Sequence, residues 1–200
     1  LRIQRELKGE SCISMDTNPS PKKNICTSRS FGVKVKDFQS LKESISSHAA
    51  RCAEKLRLEK GCARYVSVVI KTNPFSGSNY YCGYKTSNFD VPTNDTLDII
   101  NAAESLLKSI YKEGLDYKKS GVIVGDIIPQ NKVQLNLFDM DEKRIKRKDL
   151  NRTIDIINQI MGRSTVQIGS QGIAKNWQLK REKLSPCYTT KWDDLLRINC

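Results

Sequence analysis

Histidine is almost absent from this chain of 200 residues: His48 stands alone. The seven cysteines (12, 26, 52, 62, 82, 187 and 200) are odd in number and scattered, and no two have C-x-x-C spacing. Structural zinc takes four Cys or His ligands in short intervals, and a disulfide framework takes paired cysteines, so neither is expected. The cysteines read instead as small apolar side chains in a reducing compartment. No stretch reaches the roughly 18 apolar residues of a membrane span, and the opening LRIQRELKGES lacks a signal-peptide core. A cytoplasmic protein with no membrane partner is expected. Also missing are a Gly-rich phosphate loop, a G-x-S-x-G elbow and carboxylates on neighbouring strand segments able to hold two metal ions. Catalysis is therefore not expected within these residues. His48, on a helical stretch with no nucleophile patterned near it, reads as a packed or solvated side chain.

What the chain has in excess is positive charge. Lys and Arg number 34 against 22 acids, for a formal net charge of +12. The excess is spread along the chain: residues 20–132 hold 18 basic and 11 acidic residues, and 141–200 hold 13 and 7. Such a surface attracts polyanions, nucleic acid first. With 38% hydrophobic residues, the chain can build one ordinary domain with an appendage, or two small ones.

The pattern along the chain gives an order of elements. RELKGE reads as a helix end stopped at Gly9, and SMDTNPSPKK as a linker. Alternation predicts a strand over 24–31, with Ile25, Thr27, Arg29 and Phe31 on one face and Cys26, Ser28 and Ser30 on the other. A helix is predicted from Asp37 to Gly61, its apolar residues recurring every three or four positions. Strands are predicted over 63–72 and 79–86, the turn between them supplied by NPFSGSN. A second helix, capped by Thr93 or Asn94 and lined by Leu97, Ile100, Ala103, Leu107 and Ile110, is predicted up to Gly114. A fourth strand is predicted over 120–128, ended by Pro129. The order is β-α-β-β-α-β, an α+β arrangement of ferredoxin-like kind: a four-stranded antiparallel sheet with two helices on one face and the other face open. Beyond it, KRIKRKDLNRTIDIINQIMG predicts a further helix with Ile145, Ile154, Ile157 and Ile160 among its apolar positions, and TVQIG a short strand. The tail reads as a small mixed extension in which Trp177, Tyr188, Trp192, Leu195 and Leu196 form a small core.

The candidate nucleic-acid residues begin at the first strand. Between 19 and 36 there are five basic residues, Lys22, Lys23, Arg29, Lys34 and Lys36, and no acid. Together with Ser28, Ser30 and strand backbone N–H groups they offer donors at a spacing that follows phosphates, and Lys71 and Lys85 on the next two strands complete the set. Binding of this kind is blind to sequence and sensitive to salt. The basic run 143–148 reads equally well as a solvated face. An RNA-recognition module is the competing reading, since it shares the β-α-β-β-α-β order and stacks bases on open-face aromatics, here Tyr80, Tyr81 and Tyr84. YYCGYKT departs from that family's alternating aromatic pattern.

One stretch fits neither reading. VQLNLFDMD (133–141) is too short to bury its own apolar side chains. Gln134 offers an amide that bonds backbone in two directions, and Leu135, Leu137 and Phe138 are anchors for an apolar cleft on another protein, with Asn136 between them. The alternative is a short edge strand with Val133, Leu135 and Leu137 facing inward.

RELKGE, SRSFG (28–32), AARCAEKLR (49–57), DIINAAESLL (98–107), QLNLFD (134–139) and LSPCYTTKWDDLLR (184–197) run in one order along the chain, and in that order the chain resembles the C-terminal half of UmuC-type catalytic subunits of bacterial DNA polymerase V. These are Y-family translesion polymerases. The resemblance implies that residues 1–18 are the end of the thumb and a linker, 19–132 the little finger that lays its sheet on DNA, 133–140 a clamp-binding segment of the Gln-Leu-x-Leu-Phe kind, and 141–200 a C-terminal extension. It implies a DNA primer-template, the beta sliding clamp, a UmuD′ dimer and RecA as partners, in the SOS response to DNA damage. It places the catalytic palm and its Mg²⁺ before Leu1, so these residues alone are expected to be inert, without a cofactor of their own.

Overall fold

The fold is described from a computed structural model, which describes residues 1–200 other than 16, 18, 19, 76–79, 135–140, 180–183 and 196–200, and the backbone alone of 141–143. In chain order the elements are α1 (Arg2–Leu7), β1 (Asn24–Val35), α2 (Phe38–Leu58), β2 (Gly61–Thr72), β3 (Cys82–Thr93), α3 (Thr96–Ile110), β4 (Tyr117–Pro129) and α4 (Asp141–Ile160). The α+β class and the β-α-β-β-α-β order hold, and the four strands are antiparallel in the spatial order β1-β4-β2-β3. A ferredoxin-like sheet puts its first and third strands in the middle; here the second and fourth are central. Element order is compatible with both arrangements. Composition decides between them: Val66, Val68 and Ile70 of β2 and Val122 and Val124 of β4 are fully buried, whereas β1 carries SRS and β3 carries YKTSN. Polar strands with a proline, here Pro92 in β3, tolerate an edge.

The two helices cover one face of the sheet. α2 turns Leu41, Ile45, Ala49, Cys52 and Leu56 inward, all fully buried. Its N-cap is Asp37, whose carboxylate accepts from the Ser40 N–H at 2.6 Å. The expected stop at Gly61 is taken instead by Lys60, which carries the left-handed conformation (φ 51°), and Gly61 opens β2. In α3, Ile99, Ile100, Ala103, Leu106, Leu107 and Ile110 are buried, with Leu97 only half-buried. Its cap is Asp95, accepting from Asp98 N–H at 3.0 Å, and not Thr93 or Asn94. The Thr93 hydroxyl braces the turn from outside, accepting from Asp95 N–H at 3.1 Å. Inside the sandwich the hydroxyls of Ser44 and Ser120, both fully buried, satisfy each other.

The strands run longer than predicted, and β3 starts later. Tyr81 precedes β3 and faces the core, donating its hydroxyl to Ile110 O at 2.6 Å. β1 continues to Val35 after its pairing with β4 breaks register between Ser30 and Val35. Past the break, Lys118 Nζ donates to Phe31 O at 2.8 Å and Gly32 N–H donates to Trp177 O at 3.3 Å.

That last bond introduces the extension. α4 lies against α2 and α3 through Arg57, whose guanidinium grips Asp155 in a fork (2.6 and 2.7 Å) while Nη1 donates to Asn94 O and Thr96 Oγ1. A bidentate pair of this geometry is among the stronger polar contacts a protein makes. Trp177 then enters the main core at 5% exposure, edge-on to Phe31 (6.2 Å) and to His48 (5.7 Å). The expected small core of the tail is therefore not formed as predicted: Trp192 is 88% exposed, Tyr188 and Leu195 are also exposed, and Leu196 lies outside the described residues. TVQIG is not a strand either. Its backbone is held instead by the Asn158 side chain, which bonds both the N–H and the O of Val166. Among the described residues no helix is long and apolar enough to cross a membrane.

Trp177→Ala should therefore lower the stability of the whole unit by about 3–5 kcal/mol, as emptied aromatic sites do. Trp192→Ala should change it by less than about 0.5 kcal/mol. Urea unfolding of the two variants checks both. His48 offers a second test. Burial, with the charge of Arg29 second, pushes its pKa from 6.5 down to about 4. The folded chain thus binds fewer protons than the unfolded one between those values, so the contribution is complete above pH 6.5 and is lost as pH falls toward 4. At about 1.4 kcal/mol per pKa unit, the loss is on the order of 3 kcal/mol. Urea midpoints measured from pH 7 to 4 should fall less steeply for His48→Gln than for the parent.

Candidate nucleic-acid interface

Side chains of a strand alternate between faces, and the helices take one of the two. Register across the four strands defines what the other face presents. One row runs Asn24, Gly125, Tyr65, Asn88; the next Cys26, Ile123, Ser67, Thr86; then Ser28, Gly121, Val69, Tyr84; then Ser30, Lys119, Lys71, Cys82. The surface is low, polar and nearly free of acids. Two glycines keep it low: a Cβ on Gly121 would meet Ser28 Cβ at 2.7 Å, and one on Gly125 would meet Tyr65 Cζ at 2.3 Å.

Two tyrosines lie on this face. Tyr65 spans Gly125 and donates to Asn24 Oδ1 at 3.0 Å. Tyr84 leans across to donate to Ser67 Oγ at 3.1 Å and accepts from Thr86 Oγ1 at 3.3 Å, and these bonds, Ser67's first, hold its phenol pKa below the usual 10. Tyr84 as a whole is still 58% exposed.

At the last row Lys71 and Lys119 stand directly opposite each other on the central strands, with Ser30 next to them. Like charges directly opposite destabilise a sheet, and no described acid pairs with either lysine. An anion between the two ammonium groups would relieve the repulsion, with the Ser30 hydroxyl as a further donor.

The structure thus brings Ser28, Ser30 and Lys71 onto one face. It does not bring the rest there. Arg29 shares its row with Ser120, Ile70 and Gly83, and Lys85 shares one with Thr27, Val122 and Val68, so both belong to the helix-side face. Lys34 and Lys36 lie past the register break and bridge to Asp116 at 3.0 and 3.5 Å. Lys22 pairs with Glu59, and Lys23 is exposed just ahead of β1. Lys119 was missed because the strand was expected to begin at 120; alternation carried back from Ile123 through Gly121 reaches it. Of the aromatics proposed for base stacking, only Tyr84 lies on the open face. Tyr80 is exposed ahead of β3, and Tyr65 takes the place given to Tyr81.

β4 ends in a short 3-10 turn, Gln130–Lys132, after which Val133 is half-buried and Gln134 exposed without regular structure. Leu135, Asn136, Leu137 and Phe138 lie outside the described residues. Among the described residues no three His, Cys, Asp or Glu side chains are grouped to hold a metal ion.

Residues 22–137 match the model of the impB/mucB/samB family C-terminal domain. The chain belongs to this family. Its sheet and two helices are the little finger of the UmuC, ImpB, MucB and SamB group of Y-family polymerases. Residues 148–198 match a second model, described as a domain of unknown function (DUF4113). The chain is 41% identical over 198 residues to protein UmuC of Salmonella typhimurium strain LT2, covering 98% of this chain and 47% of UmuC. It is 42% identical over 195 residues to protein SamB of Salmonella typhimurium, covering 97% and 46%. The chain spans about half the length of the curated relatives it matches. Among solved structures it is similar to a complex of the beta-clamp processivity factor with the little finger domain of PolIV, at 16% identity and TM-score 0.40, covering 58% of this chain and 99% of that one. It is also similar to an insertion ternary complex of Dbh DNA polymerase, at 12% identity and TM-score 0.41, covering 63% and 34%.

Proposed function

We propose that these residues grip DNA and tether to a sliding clamp on behalf of an error-prone DNA polymerase of the UmuC kind. The observation that carries the reading is the open sheet face, where Lys71, Lys119 and Ser30 converge across three strands. Two ammonium groups and a hydroxyl at that spacing hold a backbone phosphate without consulting the bases. Tyr65 and Tyr84 supply flat surface beside them for sugar or base. A face without large projections lies along a groove, and the net charge of +12 draws the duplex in from a distance. The remaining basic residues, Lys22, Lys23, Arg29, Lys34, Lys36 and Lys85, lie off this face and contribute to that field.

In this proposal QLNLF is the tether. In support, Gln134, the first of the five residues, is exposed just past the turn that follows β4. The clamp, a UmuD′ dimer and RecA are the protein partners proposed, and Mg²⁺ would act in a palm that these residues do not supply. The work is translesion synthesis in the SOS response, at the nucleoid in the cytoplasm. Exposure of Tyr84 on the open face favours one alternative, an RNA-binding module that stacks bases there.

Titrating the chain with a 20-base-pair duplex at several salt concentrations tests the DNA reading. Affinity is expected to be independent of sequence and to fall steeply with salt, and Lys71→Ala and Lys119→Ala should each lower the salt slope by somewhat less than about one unit. Salt-independent binding, or preference for one single-stranded RNA sequence, overturns it. For the tether, Ala at Gln134, Leu137 and Phe138 together should leave the melting temperature nearly unchanged, surface changes being within about ±0.5 kcal/mol each. The same change should abolish binding to purified clamp, since an aromatic anchor is typically worth about 2 kcal/mol or more. A large loss of stability would show that these side chains belong to the sheet.

A further inference from the structure

α4 is turned inside out relative to an ordinary surface helix, which packs its apolar stripe on the domain and shows its polar side to water. The side of α4 that meets the little finger is mostly polar, with the half-buried Ile154 as its apolar member. Arg144 donates to Pro92 O at 3.0 Å, Arg147 to Asp98 at 2.7 Å, Asn151 to Asp95 at 2.9 Å, and Asp155 takes the Arg57 fork. At 3.6 residues per turn, Leu150, Thr153, Ile156, Ile157 and Ile160 fall on the side away from these contacts over the last three turns, Ile157 half-buried among them, and Met161 follows just past the helix end. Leu150 is 53% exposed, Ile156 45%, Ile160 78% and Met161 71%. Four large apolar side chains exposed together around one helix end mark a surface that meets something.

Charge decides what that is. Lys146, Lys148 and Arg152 are exposed around the stripe, Arg163 follows just past its end, and Asp149 is the one exposed acid on the described side chains of the helix. None of the four cations is in an ion pair with a described residue. A second copy of the chain would bring the same cations against each other. DNA would satisfy the cations and leave the isoleucines wet. A protein helix with leucine-like residues at i, i+3, i+4 and i+7 and carboxylates on its flanks satisfies both.

We propose that the outward side of α4, from Leu150 to Met161, docks an acidic amphipathic helix of a partner protein. The surface is distinct from the open sheet face and from QLNLF, and it stands whether or not the chain binds DNA.

The test uses the full 200-residue chain as bait for a display library of 16-residue helices. Apolar residues are fixed at i, i+3, i+4 and i+7, and the other positions vary among Asp, Glu, Lys, Gln and Ala. Sequences rich in Asp and Glu at the flanks should be enriched, and a synthetic peptide of the winning sequence should bind at least tenfold more weakly to Ile156→Ser/Ile160→Ser, whose side chains are exposed and whose melting temperature should not move. Lys146→Glu/Arg152→Glu should weaken the same peptide while leaving the apolar stripe whole, so the charge argument is tested even if the serine variant unfolds. Enrichment of basic or uncharged helices, no enrichment, or unchanged binding by both variants overturns the proposal. So does sedimentation showing a wild-type dimer that Ile156→Ser/Ile160→Ser dissolves, which would give the surface to a second copy.

Discussion

Two helices cover one face of a four-stranded sheet, and nearly everything else follows from that coverage. Every strand residue is assigned to one face by the parity of its position, so the two central strands must be apolar on one parity and free to vary on the other. β2 obeys with Val66, Val68 and Ile70 against Tyr65, Ser67, Val69 and Lys71. β4 obeys with Val122 and Val124 against Lys119, Gly121, Ile123 and Gly125. The covered parity supplies the hydrophobic driving force, at about 25 cal/mol for each Å² of apolar surface removed from water. The open parity carries none of that burden and is available for chemistry.

This is also why the sheet was readable from the residues and its ends were not. Alternation and helical spacing are properties of short windows, so the elements, their order and the helix-facing residues were within reach. What ends a strand depends on partners far along the chain. β1 runs past Ser30 to pair again with β4 at Val35 and Tyr117, with Gly32 N–H bonded to Trp177 O on the way, and no window around 24–31 contains either partner. Lys119 fell just outside the expected strand, so the opposed lysine pair could not be foreseen. Arg29 fell on the helix-side parity, as alternation had already placed it; grouping it with Ser28 and Ser30 as one phosphate-tracking set joined residues from opposite faces. The clamp reading of QLNLF rests on its residues: Leu135, Asn136, Leu137 and Phe138 lie outside the described residues, and only Gln134 is described, exposed after the turn that follows β4.

The extension shows a different limit. Apolar periodicity found α4, but periodicity does not say which side of a helix faces the domain. The usual assumption sends isoleucines inward. Here the anchors are polar: Asp95, besides capping α3, accepts from Asn151 at 2.9 Å, and Arg57 serves α2, the Asn94–Thr96 turn and Asp155 at once. A guanidinium with five donors in a fixed fork can grip a carboxylate with two bonds and still reach two further acceptors, more than a lysine with three donors can make.

The family models divide the chain between residues 137 and 148, yet Trp177 crosses that division to sit against Phe31 and His48. The tail and the little finger are therefore not interchangeable parts. A gene fusion that joined this little finger to another tail would keep the contact only where the new tail carried a side chain that fits against Phe31 and His48.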